Sequence, residues 1–517
     1  MRIGVRILAW LFIFIGVLCG CQEEKTGIRS NPVLPGDNPN PSVVKIGDSY
    51  YASATSNEWS PLFPIYKSDD LYNWELISYV FPGGAPDWAQ NNFWAPELTY
   101  DQKQKKLYVY YSGRDKTTNK ITIAVASADT PEGPFLDHGP LIFNDCETID
   151  AFEIRDKNGN LFLIWKEGYS PGKTAIIYAQ SISEDRRTVF GPKHELIRND
   201  KEWEEHIVEG PSIFQRNDYF YLLYSAGNCC DKTCDYKIGV ARAKNLLGPW
   251  EKDVANPILR DNDAWKCPGT GNVAKKDNDY YLLFHAYKSV GGDYIGREGL
   301  LEKMYWTDDD WPYFKRTNKI NQENNKIDYF DAFTKALAPC WQWRATQQLS
   351  YATGESGLML AASVENDLLG SLLAQPVKSE NFEVIATIDL SMTGNGVNGG
   401  ILLIGATNNR FGASMAGIGI SAGHDLVEVW VTSGKETNVY EAVPSNNYGD
   451  LIKLKMNVKN GDLLQFSVSD GENWELIADS VDASAYVPWG MGFRWGLVSK
   501  GITNEFVNIR NVQLINQ

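Results

Sequence analysis

Three acidic residues that lie far apart in the sequence are candidates for acid–base chemistry. Asp37, Asp150 and Glu209 each stand just ahead of a predicted strand. Cleavage of a glycosidic bond with inversion uses one protonated carboxyl and one base, about 6.5–9.5 Å apart. A single acidic residue is usually a solvated surface group. The shared position of all three at the start of a predicted repeat makes them a site hypothesis.

An aromatic-rich strand motif recurs five times and predicts the elements that position these carboxylates. The copies align on Tyr51, Tyr108, Phe162, Phe220 and Tyr280, so that successive copies are 54 to 60 residues apart. Repeats of this length with several short strands are typical of propeller blades, and helical periodicity is almost absent. We therefore predict a five-bladed β-propeller, in which residues from different blades meet around one central channel.

The chain is too long for a single hydrophobic core, because it has 517 residues. The repeat ends in a stretch rich in Lys, Asn and Gln near residues 315–326, which predicts a domain boundary. From Asp328 onward, alternating strands are punctuated by Gly and Asn turns. We predict an all-β chain, with the propeller over residues 36–320 and a jelly-roll β-sandwich over residues 328–517.

The N-terminus predicts export and a lipid anchor. Residues 1–6 are basic, and the apolar run over 7–18 is too short to span a bilayer comfortably. The run ends in Leu18-Cys19-Gly20-Cys21, which resembles the cleavage box of bacterial lipoproteins, with Cys21 as the acylated residue. The alternative is an ordinary signal peptide. We expect a signal peptide over 1–21, a tether over 22–35, and a protein lipid-anchored in the bacterial cell envelope, at the outer membrane.

Composition limits the partners of the mature chain. The net charge of −16 disfavours nucleic acid and anionic membrane surfaces, so membrane contact is expected through the anchor alone. The 17 Trp, 26 Tyr and 21 Phe residues suit packed β-structure and can also stack on sugar faces. The segment from Cys229 to Cys234 lacks a second ligand pair at zinc-finger spacing, which predicts a disulfide-stapled loop with undetermined pairing.

Six short segments carry a family resemblance and occur in a characteristic order. They are Asp37-Asn38-Pro39-Asn40-Pro41-Ser42-Val43, Phe93-Trp94-Ala95-Pro96-Glu97, Ile149-Asp150, Glu209-Gly210-Pro211-Ser212, Gly269-Thr270-Gly271-Asn272 and Gly296-Arg297-Glu298-Gly299-Leu300-Leu301. Over roughly residues 30–315 the chain resembles glycoside hydrolase family 43. From Cys340-Trp341-Gln342-Trp343-Arg344 onward the chain resembles the concanavalin A-like C-terminal domain of the β-xylosidases in that family. The resemblance implies a five-bladed propeller that hydrolyses furanosides and xylosides with inversion of the anomeric configuration. It also implies that the sandwich forms part of the wall of the active site.

The resemblance also implies roles for individual residues. Glu209 matches the general acid, Asp150 the carboxylate that orients it and raises its pKa, and Arg297 a residue that binds sugar hydroxyls. Trp94 resembles an aromatic wall of the substrate pocket. Trp59 is a second substrate-binding candidate, with core packing between blades as an equal alternative for either tryptophan.

Two residues depart from the family pattern. Asn40 fills the place of the base aspartate, and an amide is not basic at neutral pH; loss of a general base typically costs about 10²–10⁴-fold in rate. Asn272 replaces the channel histidine that the family often associates with calcium. We therefore predict no cofactor and do not commit to calcium.

Asn40 leaves two functional hypotheses. The first is an exo-acting hydrolase that releases arabinofuranosyl, xylosyl or related sugars from plant polysaccharides. Either the nearby substrate-binding candidate Asp37 or the imidic tautomer of Asn40 then replaces the base. The second is a non-catalytic glycan-binding lipoprotein, and a structural role without sugar binding is a distant third. Residues 58–66 resemble the β-xylosidase branch and residues 93–98 fit arabinofuranosidases equally, so both sugars stay open.

Overall fold

The computed structural model describes residues 30–143, 146–168, 174–230, 232–315, 328–363, 367–407 and 413–517. In these ranges the chain forms strands β1 to β36 and no α-helix. Its helical elements are four 3-10 turns: Glu202–Glu204, Leu390–Met392, Ser445–Asn447 and Ser484–Tyr486. The predicted signal peptide with Cys21, the tether up to residue 29 and nearly all of the predicted boundary lie outside the described residues. Within the described ranges, no helix is long and apolar enough to cross a membrane.

Five four-stranded antiparallel sheets follow one another along the first part of the chain. The first contains β1 (Ser42–Ile46), β2 (Ser49–Ser53), β4 (Leu62–Ser68) and β5 (Glu75–Phe81), with the short β3 (Trp59–Ser60) beside it. The second contains β6 (Ala89–Asp101), β7 (Lys106–Asp115), β8 (Ile121–Ala128) and β9 (Leu136–Pro140). The third contains β10 (Thr148–Arg155), β11 (Leu161–Glu167), β12 (Ile176–Ile182) and β13 (Val189–Arg198). The fourth contains β14 (Val208–Arg216), β15 (Tyr219–Ala226), β16 (Lys237–Ala243) and β17 (Glu251–Lys252), and the fifth β18 (Trp265–Lys276), β19 (Asp279–Lys288), β20 (Glu298–Trp306) and β21 (Pro312–Phe314).

These sheets are the blades of a five-bladed propeller, which confirms the predicted fold. Each aromatic motif copy forms the second strand of a blade, namely β2, β7, β11, β15 and β19. The first strand of each blade contacts the first strand of the next, and β18 contacts β1, so five first strands ring the central axis. Tyr50 and Ala52 of the first blade pack against Tyr281 and Leu283 of the fifth, and this buried apolar contact closes the ring.

The remaining strands form a two-sheet sandwich, as predicted. One sheet contains β22 (Tyr329–Asp331), β24 (Tyr351–Gly354), β25 (Gly357–Ala361), β36 (Phe506–Asn516), β27 (Phe382–Asp389), β32 (Leu451–Lys459), β33 (Leu463–Ser469) and β34 (Trp474–Asp482). The other contains β26 (Ser371–Pro376), β35 (Arg494–Gly501), β28 (Val397–Ile404), β29 (Ala413–Ile420), β30 (Leu426–Gly434) and β31 (Glu436–Pro444). Alternate residues of both sheets face one shared apolar core.

The sandwich docks on the propeller through backbone pairing. Strand β23 (Trp343–Arg344) pairs antiparallel with β3 of the first blade. Further along, the Phe493 N–H donates to the Tyr294 carbonyl at 2.7 Å. The segment between the last 3-10 turn and β35 is thereby held against the propeller at the blade that carries Arg297.

Two disulfides staple the cysteine-rich loop between β15 and β16. Cys229 pairs with its neighbour Cys230, and Cys234 pairs with Cys267 of the fifth blade. The second bridge therefore ties the fourth blade to the fifth. This assigns the pairing that the sequence left open.

Candidate active site

Local backbone bends set the direction of the key side chains. Asp150 lies in β10 with a φ of 58°, Gly210 follows Glu209 in β14 with a φ of 60°, and Asn40 precedes β1 with a φ of 51°. The pairing register shifts at the first two positions, so both strands carry a bulge there. Bulges re-aim side chains, and Asn, Asp and Gly are the residues that best tolerate this left-handed conformation. Asp150 and Glu209 thus lie within the first strands rather than ahead of them.

The structure places Glu209 and Asp150 side by side. The Gly210 N–H donates to Asp150 Oδ2 at 2.9 Å. Glu209 Oε1 accepts a hydrogen bond from the Tyr236 hydroxyl at 2.8 Å, and its Oε2 lies 3.4 Å from the Lys166 ammonium. All of these side chains are buried, so the contacts fix both carboxyls in place.

Burial and the neighbouring Glu209 carboxylate raise the pKa of Asp150 to about 7. Lys166, the Gly210 N–H and Arg297 oppose this shift by favouring the ionised form. A neighbouring carboxylate disfavours the ionisation of Asp150, because two like charges would then lie close together. Asp150 therefore keeps a proton part of the time near neutral pH, directly beside Glu209.

Asn40 and Arg297 contact each other on another side of the site. The Asn38 N–H donates to the Arg297 carbonyl at 2.8 Å, which holds the segment before β1 against the fifth blade. Arg297 Nη1 donates to Asn40 Oδ1 at 3.1 Å, and the Asn40 N–H donates to His285 Nδ1 at 3.0 Å. The contact with Arg297 disfavours the imidic tautomer of Asn40, because that tautomer puts a proton on Oδ1, where Arg297 already donates.

Asp37 lies in the interface between the two domains and not in the substrate site. Its carboxylate forms an ion pair with Arg494 of the sandwich at 3.1 Å, and its side chain is 1% exposed. This placement corrects the expectation that Asp37 contacts substrate or replaces the base, because the carboxylate is sealed in the domain interface. The sequence motif showed only that Asp37 lies near Asn40. Arg494, the ion-pair partner of Asp37, lies 457 residues further along the chain.

Asp37→Asn is expected to lower the free energy of unfolding by about 3–5 kcal/mol, because it leaves Arg494 as a buried, unpaired cation. Urea unfolding of the full chain measures this effect. Asp129→Asn is the control, since its ion pair with Lys106 is largely exposed and should contribute nothing measurable. Equal midpoints for wild type and Asp37→Asn would contradict a stabilising role for the pair.

Trp59 and Trp94 have different roles. Trp59 is fully buried and packs against sandwich residues such as Leu372 and Met491, so its expected contact with substrate is corrected to interface packing. Trp94 is half-buried, and its Nε1 donates to Asn57 Oδ1 at 2.6 Å. Its ring lies 6.0 Å from the ring of Trp489, which belongs to the sandwich. Trp94 therefore keeps its place as a candidate pocket wall.

The sandwich reaches into the site through the segment that carries Trp489. The carbonyl of Gly490 accepts hydrogen bonds from Arg297 Nη2 at 3.0 Å and from Asn57 Nδ2 at 3.2 Å. Trp489 itself remains 37% exposed beside Trp94. This segment places Trp489 beside Trp94 of the propeller, and two neighbouring aromatic rings can stack on a sugar.

Sequence reasoning missed Lys166, Tyr236, His285 and Trp489. A lysine inside the apolar strand β11 and a histidine inside β19 were visible signals, because charged and imidazole side chains are seldom buried without a function or a partner. Tyr236 offered no signal among 26 tyrosines. Trp489 could not be found from sequence because its partners lie in the other domain.

Tyr236→Phe is expected to lower kcat about 10-fold or more with little change in KM, because a hydrogen bond to a charged group contributes about 1.5–3 kcal/mol. The ring is fixed by Gly269, where an added Cβ would lie 1.8 Å from Tyr236. The lost O–H donor should also shift the pH profile of kcat. Tyr221→Phe is the matched control, since its hydroxyl donates to the Asp310 carbonyl away from the site. Identical pH profiles for Tyr236→Phe and wild type would show a merely structural role.

The residues present do not fit a calcium site. Asn272 Nδ2 donates to Glu97 Oε2 at 2.6 Å, so it faces a carboxyl group rather than a cation. Burial raises the pKa of Glu97 well above its usual range, which favours the neutral acid. Over the described ranges, no group of three His, Cys, Asp or Glu side chains is arranged to hold a metal ion.

Comparison with known proteins places this geometry in a family. Residues 29–312 match the family described as glycosyl hydrolases family 43, and residues 328–501 match the beta-xylosidase C-terminal concanavalin A-like domain. Xylosidase/arabinosidase 43B of Humicola insolens is 28% identical over 305 residues, which cover 55% of this chain and 54% of that protein. The beta-xylosidase of Bacillus subtilis is 27% identical over 313 residues, which cover 55% and 56%. The chain thus aligns with about half the length of these relatives.

One solved structure superposes over both domains and another over little more than half of the chain. Xylan beta-1,4-xylosidase from Bacillus halodurans superposes with a TM-score of 0.79 at 20% identity, covering 94% of this chain and 100% of that one. A thermostable family-43 glycoside hydrolase has 28% identity and a TM-score of 0.51, covering 57% of this chain and 97% of that one. At 20% identity the first match shows the fold alone.

Proposed function

The chain belongs to glycosyl hydrolase family 43, and on that premise we propose that it is an exo-acting, inverting glycoside hydrolase. Its substrates are arabinofuranosyl, xylosyl or related sugars at the ends of plant polysaccharide side chains. One observation carries the proposal: the Glu209–Asp150 pair is linked to the Asn40–Arg297 pair. The ring of Tyr236, which donates to Glu209, stacks on His285, which accepts from the Asn40 N–H. The relatives named for xylosidase and arabinosidase activities support the substrate class.

In this proposal Glu209 is the general acid. It protonates the leaving oxygen as the glycosidic bond breaks, and Tyr236 and Lys166 hold its two oxygens in position. Asp150 holds a proton beside Glu209 near neutral pH, because burial and Glu209 raise the pKa of Asp150 to about 7. Arg297 orients the terminal sugar, and water attacks from the side of Asn40.

Exo-action follows from the segment around Gly490. Because its carbonyl accepts from Arg297 and Asn57, the sandwich lies directly against Arg297 and limits the room for a polymer on that side. A site closed on one side takes the end of a chain rather than its middle. The pairing of Trp94 with Trp489 then bounds the terminal sugar.

A second candidate function is non-catalytic glycan binding, and Asn40 is the observation that favours it. The side chain is an amide, its imidic tautomer is disfavoured by Arg297, and Asp37 is paired with Arg494. A protein without a base can still hold a sugar through Arg297 and the two tryptophans.

A panel of aryl glycosides and plant oligosaccharides separates the two functions. Turnover of any arabinofuranosyl, xylosyl or galactosyl substrate supports the hydrolase. Calorimetric binding of the same oligosaccharides without any released sugar supports the binding protein instead.

We also propose that Cys21 anchors the protein by a lipid in the bacterial outer membrane. Cys21→Ser is expected to move the protein from the membrane fraction to the soluble fraction and to abolish its labelling by radioactive palmitate. Cys146→Ser is the control, because this thiol lies on the exposed surface of the propeller. Equal labelling of wild type and Cys21→Ser would contradict the anchor.

A further inference from the structure

Arg297 is a buried cation whose hydrogen-bond partners are both neutral. Its side chain is among the buried charged groups, at 5% exposure of the residue. Its two Nη groups donate to Asn40 Oδ1 and to the Gly490 carbonyl, and its Nε has no hydrogen-bond partner in the protein. Across the described ranges no carboxylate forms an ion pair with it, whereas buried charges are ordinarily paired. In the family pattern, an aspartate would stand where Asn40 now lies.

His285 is a second donor without an acceptor, and it lies against the same asparagine. Its Nδ1 accepts from the Asn40 N–H at 3.0 Å, so the ring proton resides on Nε2. This Nε2 is fully buried and has no hydrogen-bond partner. Burial and the charge of Arg297 lower the pKa of His285 well below its usual range, so the ring is a neutral donor and not a base.

The Asn40 side chain completes a set of donors. Since Oδ1 accepts from Arg297, the other side of the amide is the Nδ2 donor group. The opposite half of the site differs, because the carboxylates of Glu209 and Asp150 are matched there by Lys166, Tyr236 and the Gly210 N–H. Among the groups described at this site, the buried donors without an acceptor, Arg297 Nε and His285 Nε2, thus both belong to residues that contact Asn40.

We propose that Arg297, His285 and Asn40 form a binding site for a carboxylate anion, and that this anion takes the proton from the attacking water. The inference rests on the proposed hydrolytic function and supplies the base that Asn40 lacks. A guanidinium favours carboxylates because its N–H groups match the two oxygens of the anion. The carboxylate comes either from a uronic acid residue of the substrate or from a free small carboxylate.

The reaction balances with that one added component. Water oxygen bonds to the anomeric carbon as the bond from that carbon to the leaving oxygen breaks. Glu209 gives its proton to the leaving oxygen, and the water proton passes to the bound carboxylate, which becomes a carboxylic acid. Exchange with solvent then returns one proton to Glu209 and removes one from the carboxylic acid.

Formate is the probe for the free anion. Turnover of an aryl glycoside by the full chain in a zwitterionic buffer should rise saturably, by about 10-fold or more, as formate replaces chloride at constant ionic strength. Asn40→Asp carries its own carboxylate at the same position and should show no acceleration. For the substrate-borne source, oligosaccharides with a uronic acid next to the scissile bond should react at a rate independent of formate.

Binding of the anion is measured separately from catalysis. Formate should raise the thermal unfolding midpoint of wild type more than that of Asn40→Asp, with chloride as the reference. Formate binding without turnover of any substrate would overturn the hydrolase and leave the anion site standing. Turnover that depends neither on formate nor on a uronic acid would overturn the anion as base and leave the hydrolase standing. Equal midpoint shifts in both proteins would overturn the site itself.

Discussion

Glu209→Gln is expected to lower kcat/KM by about 10²–10⁴-fold on natural oligosaccharides, because the leaving sugar oxygen then departs without a proton. Glutamine keeps the size of the side chain and can still bond with Tyr236, whose hydroxyl lies 2.8 Å from Oε1. The pocket should therefore still bind substrate with a similar KM. The measurement is steady-state release of reducing sugar by wild type and the variant.

The leaving group separates acid catalysis from structural damage. A dinitrophenyl glycoside needs little protonation of its leaving oxygen, so Glu209→Gln should retain most of its activity on that substrate. Glu251→Gln is the matched control, because Glu251 lies on the exposed edge strand of the same blade. A uniform loss on both substrates, or no loss on either, would contradict the role of Glu209 as acid.

Asn40→Asp is expected to raise kcat about 10²-fold or more in the absence of added carboxylate, because it restores an ionisable base where the family carries one. The backbone should accept the change, since aspartate tolerates the φ of 51° as well as asparagine does. Arg297, whose Nη1 lies 3.1 Å from Asn40 Oδ1, would then pair with an anion and keep the new carboxylate ionised. Initial rates on the best substrate of the panel measure the gain.

The double variant Asn40→Asp/Glu209→Gln is the control for this gain. Without the acid, the new base should restore little activity on natural oligosaccharides, because both halves of the reaction are then needed together. If Asn40→Asp is no faster than wild type, the missing base is not what limits turnover. The thermal unfolding midpoint of Asn40→Asp in buffer alone should also lie above that of wild type, since the buried Arg297 cation gains a partner.

The repeat motif was sufficient to predict the propeller because each copy is one buried strand. Tyr51 and its equivalents pack in the apolar clusters between neighbouring blades, so the packing leaves a period in the sequence. Asp150 and Glu209 were found from their position at the start of a predicted repeat and from the family resemblance, and the structure adds the bulge that re-aims each side chain. Local geometry of this kind is encoded within a few neighbouring residues.

The contacts between the two domains could not be predicted from local sequence patterns. Asp37 and Trp59 sit in motifs that suggested a sugar site, yet Arg494 and the apolar face of the sandwich cover them. Trp489 and Gly490 belong to the sandwich and contact Trp94 and Arg297 of the propeller. No repeat or sequence spacing predicts these contacts. A pattern within one domain does not specify which of its faces another domain will bury.

Proton NMR of the newly released sugar tests the assignment of Glu209 and the inverting chemistry together. The first anomer to appear from wild-type enzyme should have the configuration opposite to that of the substrate, and the Glu209→Gln spectrum should show no released sugar over the same time. First appearance of the retained anomer, or the same time course for both proteins, would contradict an inverting hydrolase that uses Glu209 as its acid.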